Sequence, residues 1–245
     1  MQAGAIDDMI FTMKRLIAFL ILTLLFTGCS STRTAKSQNA SADEENALRM
    51  ALSQASDKVP ATLFASMTTE QFLTAKAVPL LTQTQVPLIT DNLQRYTALC
   101  QNAFRTTLLS VHDTVAALSQ TIGITDPKAL VFQRDDSMSV LLDVSAKTEV
   151  TAVIQKKLAG ELTEANAVLE RIISDYRIWD KGKSKLGMPG LPAVTMPATE
   201  DYTNLFYTTY LSALRTQEID VRTTPRPEGT GSLYEFFAKE KAGTK

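Results

Sequence analysis

The chain has 245 residues and a formal net charge of -1, from 25 basic and 26 acidic side chains. Near-neutrality leaves no strong net electrostatic pull on nucleic acid or anionic lipid, and a hydrophobic fraction of 44% over this length supports one substantial core rather than two domains. With two cysteines (Cys29, Cys100) and one histidine (His112), the chain has no disulfide framework and no ligand set for zinc or haem, so no cofactor or metal is expected.

Asp7 and Asp8 put acid where a secretory signal wants base, so translation is expected to start at Met13. Lys14 and Arg15 then form a positive n-region, Leu16 to Phe26 is an apolar run broken only by Thr23, and Phe26-Thr27-Gly28-Cys29 closes it. The run is short for a bilayer span and ends in small residues at a cysteine, the layout of a signal peptide. It resembles the signal of bacterial lipoproteins, which is cleaved before the cysteine and acylated there; Phe26 stands where Leu is usual. That resemblance implies a signal peptide over 1–28 and a lipidated Cys29, palmitate being one of its acyl groups. Ser30 in place of Asp implies the outer membrane, facing the periplasm, rather than the inner membrane.

Residues 29–42 are rich in Ser, Thr, Ala and Gln without apolar periodicity, and read as a flexible tether reaching about 40 Å when extended. Ser41-Ala42-Asp43-Glu44 has capping-box spacing, so a folded domain is expected over 43–245. Leu48, Leu52, Ala55 and Val59 recur at helical spacing up to Pro60, and a shorter helix is expected from Thr69 to Val78, stopped by Pro79. Leu80 to Leu88 reads as an extended connection.

The clearest periodicity follows: Leu93, Tyr96, Cys100, Phe104, Leu108, Val111, Val115 and Leu118 on one long helix, capped at Thr90 or Asp91 and stopped near Gly123. Asp126-Pro127 opens a short helix to about Gln133, and Asp135-Asp136-Ser137 opens another. Apolar positions from Val150 to Leu158 and from Leu162 to Trp179 are in phase, with a break expected at Gly160. Asp180 to Thr199, holding Gly187, Pro189, Gly190 and Pro192, reads as a long loop and a candidate lid. A last large helix should start between Thr199 and Asp201, and Ser232 should cap a tail helix with Leu233, Phe236 and Phe237. No strand alternation or internal repeat is visible. The fold class is all-α: an irregular orthogonal bundle of about six to eight helices in a single domain.

Chemistry-bearing patterns are sparse. His112 and Asp113 are adjacent and point about 100° apart on a helix, so they form no acid–base pair. Asp135-Asp136-Ser137 lacks the remaining ligands of a calcium loop and reads as a helix cap. Gly182-Lys183-Ser184 mimics the end of a phosphate loop, but Arg177 stands where its first glycine belongs. Cys100 reads as a buried small hydrophobe. Glu218 and Arg222, four apart in the favourable order, read as a partly buried clamp on the turn at Pro225 and the tail helix, with a ligand-gripping Arg222 as the other reading. Phe206, Tyr207 and Tyr210 are core residues or candidate pocket aromatics, Tyr207 lying off the main apolar stripe.

Three stretches resemble a family of bacterial envelope lipoproteins known as a domain of unknown function, DUF4197. Glu45 to Ala55 is similar to its first helix, with Leu48, Ala51 and Leu52 matching, and Ile124 to Ala129 to an element that opens a short helix. The third is Asp201-Tyr202-Thr203, Leu211, Leu214, Glu218, Arg222, Pro225, Leu233 and Phe236-Phe237, similar to a terminal pattern of Asp-x-x-Thr, an apolar helix, Glu-x-x-x-Arg-x-x-Pro and a tail helix. The family's aromatic pair is missing near Ser139 to Asp143, so what the chain resembles is a divergent member. The resemblance implies an all-helical, signal-anchored protein and no activity. The function expected is a non-catalytic lipoprotein that meets another envelope protein, the alternative being a hydrophobic small molecule or lipid held in an inter-helix groove.

Overall fold

A computed structural model describes residues 31–73, 76–84, 86–225 and 233–242, with the backbone alone for 31–40. The signal peptide, Cys29 and the Ser232 cap lie outside the described residues. The chain divides into two compact units, Met1–Asn46 and Ala47–Lys245. Among the described residues there are ten helices and no strand, an all-α fold.

In the first unit, residues 31–46 are helical, part of α1 (Ser31–Lys58). The flexible tether is therefore corrected to helix from Ser31 onward, and no cap stands at Ser41. The segment holds no Gly or Pro, and its Ala, Arg, Lys and Gln residues favour helix, so nothing interrupts the backbone.

In the body, α1 ends before Pro60 and leads through the turn residues 61–66 to α2 (Thr69–Phe72) and α3 (Ala77–Thr82). The expected helix of 69–78 is thus two short ones, and Pro79 is no stop. It sits in the first turn of α3, where a missing N–H costs no intrahelical bond. Pro87 likewise opens the 35-residue α4 (Pro87–Thr121) at its first position, three residues ahead of the expected cap, so the extended connection shrinks to a few residues. α4 ends before Gly123, as its periodicity requires.

Asp126 caps α5 (Pro127–Gln133) by accepting the Ala129 N–H at 2.9 Å. Then come α6 (Ser137–Ser145), α7 (Lys147–Glu161) and α8 (Thr163–Lys185), joined by the single residues Ala146 and Leu162. The break falls at Leu162, two residues beyond Gly160. α8 runs past Gly182, so the long loop begins only at Leu186, and Gly182-Lys183-Ser184 is helical rather than loop. α9 (Thr199–Thr223) starts where expected, with Asp201 Oδ2 accepting the Ala198 N–H at 2.8 Å, and α10 (Leu233–Ala242) is the tail.

The core forms around α4, which packs along α7 and α8, while α9 lies against α6, α7 and α10. Phe64, Phe72, Phe104 and Phe206 bring four segments into one aromatic cluster, with centroids 4.6 to 5.3 Å apart. Arg49 ties α1 to the far end of α4, donating to the Ser119 carbonyl at 2.7 Å and the Ile122 carbonyl at 3.1 Å, where a helix has unpaired acceptors.

Candidate functional site

Glu218 and Arg222 lie one turn apart on α9 and are fully buried, at 0% and 2% exposure, not partly buried as expected. They bond directly, Arg222 Nη1 to Glu218 Oε1 at 3.0 Å. Each also serves the end of another helix. Glu218 accepts the Met138 N–H at 3.1 Å, the Ser139 N–H at 2.7 Å and the Ser139 hydroxyl at 2.6 Å, so its carboxylate caps the first turn of α6. Arg222 donates to the carbonyls of Leu130 (3.2 Å), Val131 (3.4 Å) and Arg134 (3.0 Å) and to the Ser137 hydroxyl (2.9 Å), so its guanidinium caps the end of α5. Its Cζ lies 4.3 Å from the ring centroid of Phe237, which fastens the tail helix.

The clamp therefore grips the junction between α5 and α6 together with α10. Pro225 stands exposed on the chain leaving α9, and none of these contacts reaches it. With both carboxylate oxygens and both terminal nitrogens engaged, Arg222 has no open donor pair to offer a ligand; only its Nε, itself buried, lacks a partner. Burial pushes the Glu218 carboxyl up, while Ser139, Arg222 and the two amides pull it down.

The acidic run ahead of α6 is committed elsewhere. Asp136 occupies the cap position of α6 but does not cap it: its oxygens take Arg134 Nε and Nη2 at 2.8 and 2.9 Å, and Glu218 does the capping instead. Asp135 pairs with Lys241 of α10, and Ser137 donates to the Leu130 carbonyl. No cluster of metal-binding side chains occurs among the described residues.

Phe206, Tyr207 and Tyr210 are buried at 0%, 3% and 0% exposure and belong to the core, the first of their two readings. Phe206 packs on Phe64 and Phe104; Tyr210 bonds Ser56 Oγ at 2.9 Å. Tyr207 is buried off the stripe because its hydroxyl reaches Asp143 Oδ1 at 2.9 Å, an oxygen pair completed by Arg215 at 3.0 Å. Cys100 is free and buried, its thiol pushed up to about 12 by burial, and above it the Tyr96 and Tyr202 hydroxyls bond at 2.7 Å.

Comparison with protein-family models, with curated proteins and with solved structures finds no match for this chain.

A groove runs between the turn after α1 and α4. One part, about 540 Å³, is lined by Val59, Pro60, Leu108 and Leu109, with Asp57 and His112 among its polar members. It shares Ala61 and Arg105 with a smaller part of about 240 Å³ that continues to Ala98 and Gln101. Leu109 stands in it 65% exposed. His112 lies half-buried, 6.1 Å from Tyr210 between ring centroids, its Nε2 buried without a hydrogen-bond partner. Burial holds it below the ordinary histidine range, partly offset by Asp57 and Asp113. Sequence periodicity placed Leu108 and Val111 on the inner face of α4, and the groove lies beside that face, where the pattern has no signal.

Proposed function

We propose that this chain is a lipid-anchored, non-catalytic lipoprotein of the bacterial outer membrane that presents its helical body to another envelope protein. The observation that carries the reading is the segment from Lys14 to Cys29: basic residues, an apolar run and a terminal Gly-Cys. The body offers supporting arguments. Its buried ion pair holds helix ends, its buried tyrosines bond to each other, to Ser56, to Asp143 or to the Pro192 carbonyl, and its groove combines Val59, Pro60, Leu108 and Leu109 with the charged Asp57, Lys58 and Arg105, a surface suited to a protein segment. The resemblance to DUF4197 belongs to the same proposal, supported by Glu218, Arg222 and Phe237 meeting in one node.

The alternative occupant is a hydrophobic small molecule, favoured by Val59, Pro60, Leu108 and Leu109 in one groove. Native mass spectrometry of the protein from its own host tests both. The expected result is a chain that begins at Cys29 and carries acyl mass, with a co-purifying protein; a co-purifying lipid selects the alternative. An uncleaved leader, or no acyl mass on Cys29, removes the anchor. Leu109→Glu should release a partner held in the groove, and retention of that partner would place its contact elsewhere.

A further inference from the structure

We infer that the end of α8 and the loop after it form a docking face for an anionic phospholipid surface, a membrane contact separate from any lipid on Cys29. Eight large apolar side chains are exposed among the described residues, and three of them, Ile178 (67%), Leu186 (77%) and Met188 (49%), lie within eleven residues of one another. Lys181, Lys183 and Lys185 are interleaved with them, and no acidic residue occurs from Lys181 to Ala198. Exposed apolar side chains with lysines beside them along the chain suit the interface of an anionic bilayer, where the apolar groups enter the acyl boundary and the ammonium groups stay at the phosphates.

The local geometry holds these side chains outward. Trp179, Lys183 and Leu186 follow one another at helical spacing on the same face, and Lys183 Nζ sits 4.8 Å from the Trp179 ring centroid. α8 ends in a Schellman motif: the Gly187 N–H bonds the Ser184 carbonyl at 3.1 Å and the Met188 N–H bonds the Lys183 carbonyl at 3.3 Å. Gly187 has φ +78°, the left-handed conformation that turns the chain and carries Met188 away from the helix. Beyond it the loop is fastened back to α8, with the Leu191 N–H on Asp180 Oδ1 at 3.0 Å and the Tyr176 hydroxyl on the Pro192 carbonyl at 3.1 Å. A loop anchored this way is no lid. It could have folded Leu186 and Met188 inward, and instead presents them in a fixed arrangement beside the lysines. Complementarity of charge selects a surface of anionic headgroups over a neutral one.

Trp179 is the only tryptophan in the chain, so its fluorescence reports on this face alone. The full-length protein is mixed with vesicles carrying brominated acyl chains, made either of phosphatidylcholine alone or with phosphatidylglycerol added. Flotation of the vesicles is followed at the same time. The expected result is severalfold stronger quenching of Trp179 in the phosphatidylglycerol vesicles. Each lysine changed to Gln should weaken partitioning by about fivefold. Leu186→Glu with Met188→Glu should abolish the quenching without loss of helical circular dichroism, since both side chains are exposed. Absence of quenching in anionic vesicles, equal quenching in both kinds, or undiminished quenching in the double variant overturns the inference. Flotation with Trp179 unquenched would leave the Cys29 anchor standing and this contact refuted; quenching in a protein that lacks acyl mass would do the reverse.

Discussion

Glu218 and Arg222 show how much a buried ion pair depends on its neighbours. A charge pair removed from water recovers its desolvation cost only if its remaining donors and acceptors are met, and here two helix ends meet all of them but Arg222 Nε. Glu218→Ala should destabilise the body by about 3–5 kcal/mol, because it strands the guanidinium and uncaps α6 together; urea unfolding measures it. Arg222→Lys should restore little, since one ammonium cannot span the carbonyls of α5 and Glu218 as the planar fork does. His112 gives a second prediction. Its folded pKa lies below the unfolded value of 6.5, so the unfolded chain binds more protons as the pH falls through that region. Stability contributed at neutral pH is therefore lost below about pH 6.5. As the chain has no other histidine, His112→Gln should flatten the difference in urea midpoint between about pH 7.5 and pH 5.5; an unchanged slope would assign it to carboxylates.

Helix ends are set by two kinds of information, and the chain shows both. Where the signal is local it reads correctly: Asp126-Pro127 opens α5, and Asp201 bonds back to Ala198 to open α9. Where the cap comes from far along the chain it is invisible, as at α6, whose first amides bond to a carboxylate about eighty residues away. Proline and glycine misled for a related reason. Pro79 and Pro87 look like stops, yet each sits in the first turn of a helix, where its missing N–H is harmless; Gly182 costs α8 too little to end it. Gly187 is different, since its positive φ closes the Schellman motif. No atom lies within 4 Å of where a Cβ would stand, so Gly187→Ala should lose about 1 kcal/mol or somewhat more through backbone conformation alone, read as a lowered melting temperature.

Across the whole body, the aromatic cluster joins the turn after α1, α2, α4 and α9, and Phe206 touches both Phe64 and Phe104 within it. Phe206→Ala should therefore cost about 3–5 kcal/mol and lower the midpoint of the whole unfolding transition; near-neutral stability would mean an easily refilled pocket and revive the aromatic-groove reading. Among the described residues no helix is long and apolar enough to cross a membrane. Sequence periodicity by itself determined that the protein is all-helical and which face of α4 is buried, because a repeat of apolar residues every three to four positions is a local property of one chain segment. Only the tertiary structure decided that Glu218 and Arg222 cap other helices, that Phe206, Tyr207 and Tyr210 fill the core, and that Leu186 and Met188 stay outside beside three lysines. Each of those depends on what other segments bring within bonding distance, and no spacing along the chain encodes it.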